Sequence, residues 1–347
     1  MDIAFVLPGP VRVPMGGAAV VFGHARRLAE RGHRVTVIAP KSWGGALSFA
    51  KRGLVAIRDR AHGVASNTPY DSRGVVVWEP SSTKAVELSG YNAVIATGHQ
   101  TASWVSKNTG RGVYLIQGDE RALSATAHQT WSLPLVRITV SGWLRRLLED
   151  AGHHVSGVVP NAVDKQTFGC KRTIESRPHH VVALYHRHVV KGPATLISTL
   201  EQVRSRAPSA TATVIAARRP SHSLPSWVDV HVRPTAVELS DILNGSRVCL
   251  HTSTIEGWGL LPMEAAACGC AIVATSSRGP REYLTPGSSM IEVPVGDADA
   301  LADGAVRLLE DEELNTRYAN QALEDVARFS WESSTAEFER LLLKSLS

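Results

Sequence analysis

Short, almost wholly apolar runs recur along the chain, each followed by a polar or Gly-rich stretch and then a segment of helical period. Residues 3–7, 35–38, 75–78, 93–96, 113–116 and 137–140 read as strands in the first half. Residues 181–185, 211–216, 228–232, 248–251 and 271–274 repeat the pattern in the second. Most of these runs lack polar alternation, as strands buried on both faces do. Helices are predicted over 18–31, 141–151, 193–206 and 236–244, from Ala298, from Glu312, and over 330–346. Strand–helix alternation implies parallel sheets, and 347 residues suit two α/β domains better than a single core. The expected boundaries are a first domain over 1–164, a polar linker over 165–180, a second domain over 181–329 and a final amphipathic helix over 330–347.

The densest chemistry lies at residues 251–275, HTSTIEGWGLLPMEAAACGCAIVAT. Pro262 suits a first helical position, Met263, Glu264 and three alanines are strong helix formers, and Gly269 ends the helix. Gly257 and Gly259, in the loop before it, let backbone approach a ligand closely. A helix N-terminus presents free N–H groups and partial positive charge, which attract phosphate. Glu256 and Glu264, on either side, are placed instead to accept hydrogen bonds from hydroxyls. A ligand carrying both phosphate and many hydroxyls is a nucleotide sugar. Glu264 alone reads equally well as a helix-start acid, although Leu261 stands where a capping box needs Ser or Thr.

The segment from Glu256 to Glu264, E-G-W-G-L-L-P-M-E, resembles the E-x7-E element of retaining glycosyltransferases of family 4, which have the GT-B fold. V-S-G-W-L at 140–144, P-N-A-V-D at 160–164 (Ala162 replacing the usual Gly), G-P-R-E at 279–282 and F-S-W at 329–331 extend the resemblance over nearly the whole chain. It implies two Rossmann-like α/β/α domains facing a cleft, with the last helix crossing back to the first domain. It also implies transfer of a sugar from a nucleoside-diphosphate sugar, with retention at the anomeric carbon and with neither metal nor cofactor.

By the same resemblance, Glu264 holds the ribose hydroxyls and Glu256 accepts from the sugar hydroxyls. Gly257, Trp258, Gly259 and Leu260 line the donor. Gly16 and Gly17, in the loop after the first strand, lie against its sugar and phosphates. His99 directly follows a strand, as the family's active-site histidine does, and orients the anomeric region. Arg187 and Lys191 clamp the diphosphate, whose charge grows as it leaves and is stabilised by preplaced cations. Here His186 replaces the family's Gly, and the Arg–Lys spacing is one residue shorter. Val232 and Arg233 are the candidates for backbone contact with the base.

Charge narrows the partners. The net charge of +5 conceals an asymmetry: residues 1–170 carry 19 Lys and Arg against 11 Asp and Glu, whereas 171–347 carry 18 against 21. The basic half suits an anionic acceptor: a phosphorylated small molecule, a lipid-linked glycan or nucleic acid. Residues 41–70 and the polar residues 117–120 are expected to reach it. No run is apolar and long enough to cross a bilayer, so the expected location is the cytoplasm, with the basic half available for peripheral contact at the inner membrane face.

Other chemistries lack their signatures. G-x-G-x-x-G is absent and no acid closes the second strand, which weakens a nicotinamide-dependent oxidoreductase. Asp297 and Asp299 have D-x-D spacing but open a helix, where Asp serves as cap. Cys170, Cys249, Cys268 and Cys270 form no metal-ligand spacing, and His153 and His154 are adjacent, as are His179 and His180, so neither pair shares a helix face. The altered 186–191 segment and the basic half keep one rival open, a catalytically silent protein that binds sugar nucleotides or nucleic acid.

Overall fold

The computed structural model describes residues 1–43, 68–122, 124–220 and 224–346. The expected acceptor stretch 41–70 therefore lies, over 44–67, outside the described residues. The chain divides into two compact units, Met1–Asn161 with Trp331–Ser347, and Ala162–Ser330.

In the first unit β1 (Asp2–Val6), β2 (Arg34–Ile38), β3 (Val75–Trp78), β4 (Ala93–Ala96), β5 (Gly112–Ile116), β6 (Val136–Thr139) and β7 (Gly157–Val158) form one sheet. Its order is β3-β2-β1-β4-β5-β6-β7, parallel at every described pairing. The apolar runs are buried as their composition requires: Ile3 to Val6 and Ala93 to Ala96 are inaccessible to solvent. α1 (Gly16–Glu30), α2 (His99–Asn108) and α3 (Gly142–Asp150) follow β1, β4 and β6.

The second unit repeats the plan with β8 (His180–Tyr185), β9 (Thr211–Ala216), β10 (Val228–Val232), β11 (Val248–His251), β12 (Ala271–Thr275) and β13 (Met290–Val293), in the order β10-β9-β8-β11-β12-β13. Its helices are α4 (Pro193–Arg206), α5 (Ala236–Asn244), α6 (Leu260–Ala267), α7 (Ala298–Glu310) and α8 (Glu312–Ala327). Leu196, Leu200 and Val203 of α4 and Leu301, Ala305 and Leu308 of α7 share one core with Val181, Val214, Val248 and Val273 of the sheet.

Both sheets reverse strand order once, between β1 and β4 and between β8 and β11. In open parallel sheets the crevice at the carboxyl ends of such a pair is where ligands bind. The loops carrying Gly16, Gly17 and His99 leave one reversal. Those carrying Arg187, Lys191 and Glu256 leave the other.

Three expectations need adjusting. Residues 165–180 are fastened to the second unit: the Lys171 N–H donates to Asn244 at 2.6 Å, Ser240 donates to the Thr167 carbonyl at 2.7 Å, and buried Arg177 donates to the Cys268 carbonyl at 2.6 Å. Their polarity reflects this hydrogen bonding, where the composition alone reads as a linker. α1 begins at Gly16, two residues before the predicted start, because Met15 is extended and its carbonyl already accepts from Ala19 at 2.9 Å. α6 begins at Leu260, so Pro262 occupies its third position and not its first.

The last helix, α9 (Trp331–Leu346), packs within the first unit. Phe338 is buried against His24 and Phe5 at ring distances of 4.9 and 5.9 Å. Gly23 of α1 is required here, because a Cβ on it meets the Trp331 ring at 2.4 Å. Asp297 caps α7 by accepting from the Ala300 N–H at 2.9 Å, and Asp299 pairs with Arg206, so the D-x-D spacing is helix-start chemistry.

Candidate functional site

β8 delivers the chain to His186, Arg187 and His188, all exposed, and then to a single 3-10 turn, Val189–Lys191. Gly192 follows in the left-handed region at φ 66°, and Pro193 opens α4. This turn is laced to the end of β11. Thr252 donates to the Lys191 carbonyl at 3.0 Å, and the Thr254 N–H donates to that of Val190 at 2.7 Å. The lacing brings the Lys191 ammonium onto Glu256, Nζ to Oε1 at 2.6 Å, where Ser253 also donates at 2.8 Å. His251, at the end of β11, stands behind this pair with Nε2 3.9 Å from the same oxygen.

Glu256 is fixed from its other side as well. Its N–H donates to Ser277 at 2.8 Å, and it bridges Arg278, a non-glycine residue held at φ 76°. Strain of this kind collects at ligand sites. Gly279 must lack a side chain, since a Cβ meets the Trp258 carbonyl at 2.4 Å. Gly259 then turns the chain at φ 90°, its carbonyl accepting from the Tyr283 hydroxyl at 2.6 Å, and leads into α6. The place of Trp258 is set by its side chain. It is buried, donates to the Met263 sulfur at 3.1 Å, and packs on Tyr283 and Phe329.

The two carboxylates sit in opposite electrostatic surroundings. Burial raises the Glu256 pKa, but Lys191, His251 and Ser253 together hold it below the ordinary carboxylate value. Glu264, half-buried on α6, is pushed up to about 7 by desolvation. The folded chain thus holds the Glu264 proton more tightly than the unfolded chain, so stability is lost as pH rises from about 4.5 through about 7. Glu264→Gln removes that penalty. It is expected to be more stable than the parent at pH 8, by up to about 3 kcal/mol, and equal to it near pH 4. Thermal midpoints measured across this range check it, and a difference that does not change with pH contradicts it. The same substitution is expected to weaken nucleotide binding, so a gain in stability accompanies a loss of affinity.

Arg187 is exposed, four residues before Lys191. Val232 and Arg233 lie at the carboxyl end of the edge strand β10, two strands from β8. Val232 is exposed, and Arg233, at φ 56°, is held by its N–H on Ala216 and its Nε on Ala217. Gly257 and Leu260 flank the Trp258–Gly259 turn, Gly257 buried and Leu260 partly so.

In the first unit Gly16 and Gly17 form the first turn of α1, so their N–H groups are those an α-helix leaves free. A Cβ on Gly17 stands 3.5 Å from the Gln117 amide. His99 is the first residue of α2, half-buried, behind a start fixed by Thr101, whose hydroxyl accepts from Thr97 and Gly98 at 2.8 and 3.1 Å. The polar residues 117–120 divide in role. Asp119 is buried and pairs with Arg121 at 2.7 Å, while Glu120 is buried in a cage of Tyr114, Thr130 and Trp131. Desolvation raises the Glu120 pKa. Gln117 stands beside the glycine turn.

Sequence reasoning missed Ser253, His251 and the 277–279 segment as supports of Glu256. Ser253 was within reach, since a Ser three residues before a loop Glu is local turn chemistry. The 277–279 contact joins two strand ends, and local pattern carries no trace of it.

Residues 180–311 match the family described as "Glycosyl transferases group 1". The chain is 25% identical to a phosphatidyl-myo-inositol mannosyltransferase of Mycolicibacterium smegmatis, over 98% of this chain and 93% of that one. It superposes on sucrose-phosphate synthase of Thermosynechococcus elongatus with a TM-score of 0.77 at 16% identity, covering 99% and 98% of the two chains. It superposes on Anabaena HepE in complex with UDP-glucose with a TM-score of 0.74 at 16% identity, covering 99% and 100%. These likenesses give the fold as GT-B and extend the resemblance read from the E-x7-E segment.

Proposed function

We propose, from the premise that this chain is a glycosyltransferase of the GT-B fold resembling family 4, that it moves a sugar from a nucleoside-diphosphate donor to a hydroxyl acceptor with retention of anomeric configuration. The observation that carries the reading is the Lys191–Glu256 pair at the strand reversal of the second unit, with Arg187 and the start of α6 on the adjoining loops. A cation, a carboxylate and a helix start together fit a ligand that is anionic at one point and hydroxylated at others.

In this mechanism the acceptor oxygen bonds to the anomeric carbon on the face from which the donor phosphate departs. The acceptor proton passes to the leaving phosphate oxygen, so no separate base is required. As the anomeric C–O bond breaks, negative charge builds on that phosphate oxygen ahead of the proton, and Lys191 and Arg187 offset it. Those two cations fill the part that a divalent metal plays elsewhere, which is the basis for proposing metal independence. Glu264 accepts from the ribose hydroxyls, Glu256 from the sugar, and His99 orients the anomeric region, with Gly16, Gly17 and the backbone at Val232 and Arg233 completing the donor contacts.

Anabaena HepE is described with UDP-glucose, which supports a nucleoside-diphosphate sugar as donor. The mycobacterial relative is named for an inositol phospholipid acceptor, and the basic first half of this chain fits an anionic acceptor of that kind. Among the described residues no helix is long and apolar enough to cross a membrane, so such an acceptor is proposed to be met at a membrane surface.

The test is a panel of nucleoside-diphosphate sugars incubated with the protein in chelator, followed by proton NMR of released or transferred sugar. The expected result is turnover of one donor class with the anomeric configuration kept. No turnover of any donor favours the silent binder, and an inverted product overturns the mechanism.

A further inference from the structure

His251 has no assigned part in the chemistry above, yet its placement is unusual. The side chain is buried, its Nε2 lacks a hydrogen-bond partner among the described residues, and that atom lies 3.9 Å from Glu256 Oε1. An unpaired imidazole nitrogen in the interior carries a desolvation cost, so its persistence beside a carboxylate calls for a use. Burial keeps the ring neutral, lowering its pKa to about 4. It therefore presents one N–H without burying a second positive charge beside Lys191.

Lys191 has two claims on it. In this structure it holds Glu256 at 2.6 Å, while the proposed reaction requires the same ammonium on the donor diphosphate. Glu256 is only 12% exposed at its side chain, so losing its cation leaves a nearly buried carboxylate with Ser253 as its remaining side-chain hydrogen-bond donor among the described residues. Removing one partner of a buried pair is strongly unfavourable unless another donor takes its place.

We infer that His251 is a positioning residue that takes over Glu256 by a Nε2–H···Oε1 hydrogen bond when Lys191 moves to the donor diphosphate. The inference rests on the diphosphate role proposed for Lys191. A closure of about one ångström converts the present separation to a hydrogen bond, well within the reach of a side-chain rotation. The handover leaves the negative charge of Glu256 compensated in both states, so the carboxylate keeps its orientation toward the sugar. It also keeps Lys191 from being trapped by its own partner.

The experiment is a double-mutant cycle read by calorimetry with UDP and GDP as probes, using whichever the parent binds more tightly. His251→Phe is expected to weaken binding about tenfold or more. In a Glu256→Gln background, where no charge is stranded, the same change is expected to alter affinity less than twofold. His251→Gln retains a donor and is expected to recover part of the loss, with circular dichroism showing each variant folded. Equal losses from His251→Phe in both backgrounds mean a packing role and overturn the inference. Lys191→Ala separates the two levels: if it leaves diphosphate affinity unchanged, the diphosphate role and the handover both fall. If it weakens affinity while the cycle shows no coupling, only the handover falls.

Discussion

Lys191→Ala is expected to lower turnover about a hundredfold or more, with the loss in kcat exceeding any change in the donor KM. Charge accumulates on the diphosphate as the sugar leaves, so a cation placed there gives more to the transition state than to the bound donor. Deleting one such preorganised group costs on the order of 2.7–4 kcal/mol of barrier. Arginine does not restore the wild type, because a planar guanidinium differs in reach from the compact ammonium that meets Glu256 at 2.6 Å. Steady-state kinetics with a fixed acceptor check this, and a near wild-type rate contradicts the diphosphate clamp.

Gly192→Ala is expected to damage the same site through the backbone. Two effects add. A left-handed φ of 66° costs an alanine roughly 1–2 kcal/mol, and the new Cβ stands 2.1 Å from the Thr252 carbonyl oxygen, which belongs to the strand end that the turn is laced to. Main chain on both sides cannot yield as a flexible side chain does, so overpacking adds about 1–3 kcal/mol. The thermal midpoint is expected to fall by roughly 5–10 °C, with activity reduced because Lys191 is the adjoining residue. Gly32→Ala is the control: at φ 90° it has nothing within 4 Å of its Cβ, so it carries the left-handed cost alone. Equal shifts for the two substitutions contradict the close approach of the two loops.

Much of this was legible in the sequence because parallel sheets announce themselves. Strands buried on both faces must be continuous apolar runs, and Thr211–Ala216 and Val248–His251 have the bounds the pattern gives, as does the exposed edge strand Val228–Val232. The runs that failed were the short ones. β7 is only two residues, and β13, Met290–Val293, carries Glu292, whose charge is met by Arg281 from outside the strand. The pattern marks where an apolar residue must be buried but is blind to a polar one whose partner is distant in the chain.

The same limit explains the site. Glu256, Glu264 and Lys191 stand in recognisable local settings, a Gly-rich loop, a helix start and a strand end. The supports of Glu256 come from three separate strand ends, and the burial of Trp258 depends on Tyr283 and Gly279, both distant in the chain. Residues 165–180 read as a linker for a related reason: a polar stretch satisfied by Asn244 and the Cys268 carbonyl looks, in sequence, like one satisfied by water.

A crystal structure with a nucleoside diphosphate bound tests the central claim most directly. The account predicts phosphate oxygens within hydrogen-bond distance of Lys191 Nζ, ribose hydroxyls on Glu264, and Lys191 withdrawn from Glu256. A nucleotide bound away from α6, with Lys191 still seated on Glu256, contradicts it.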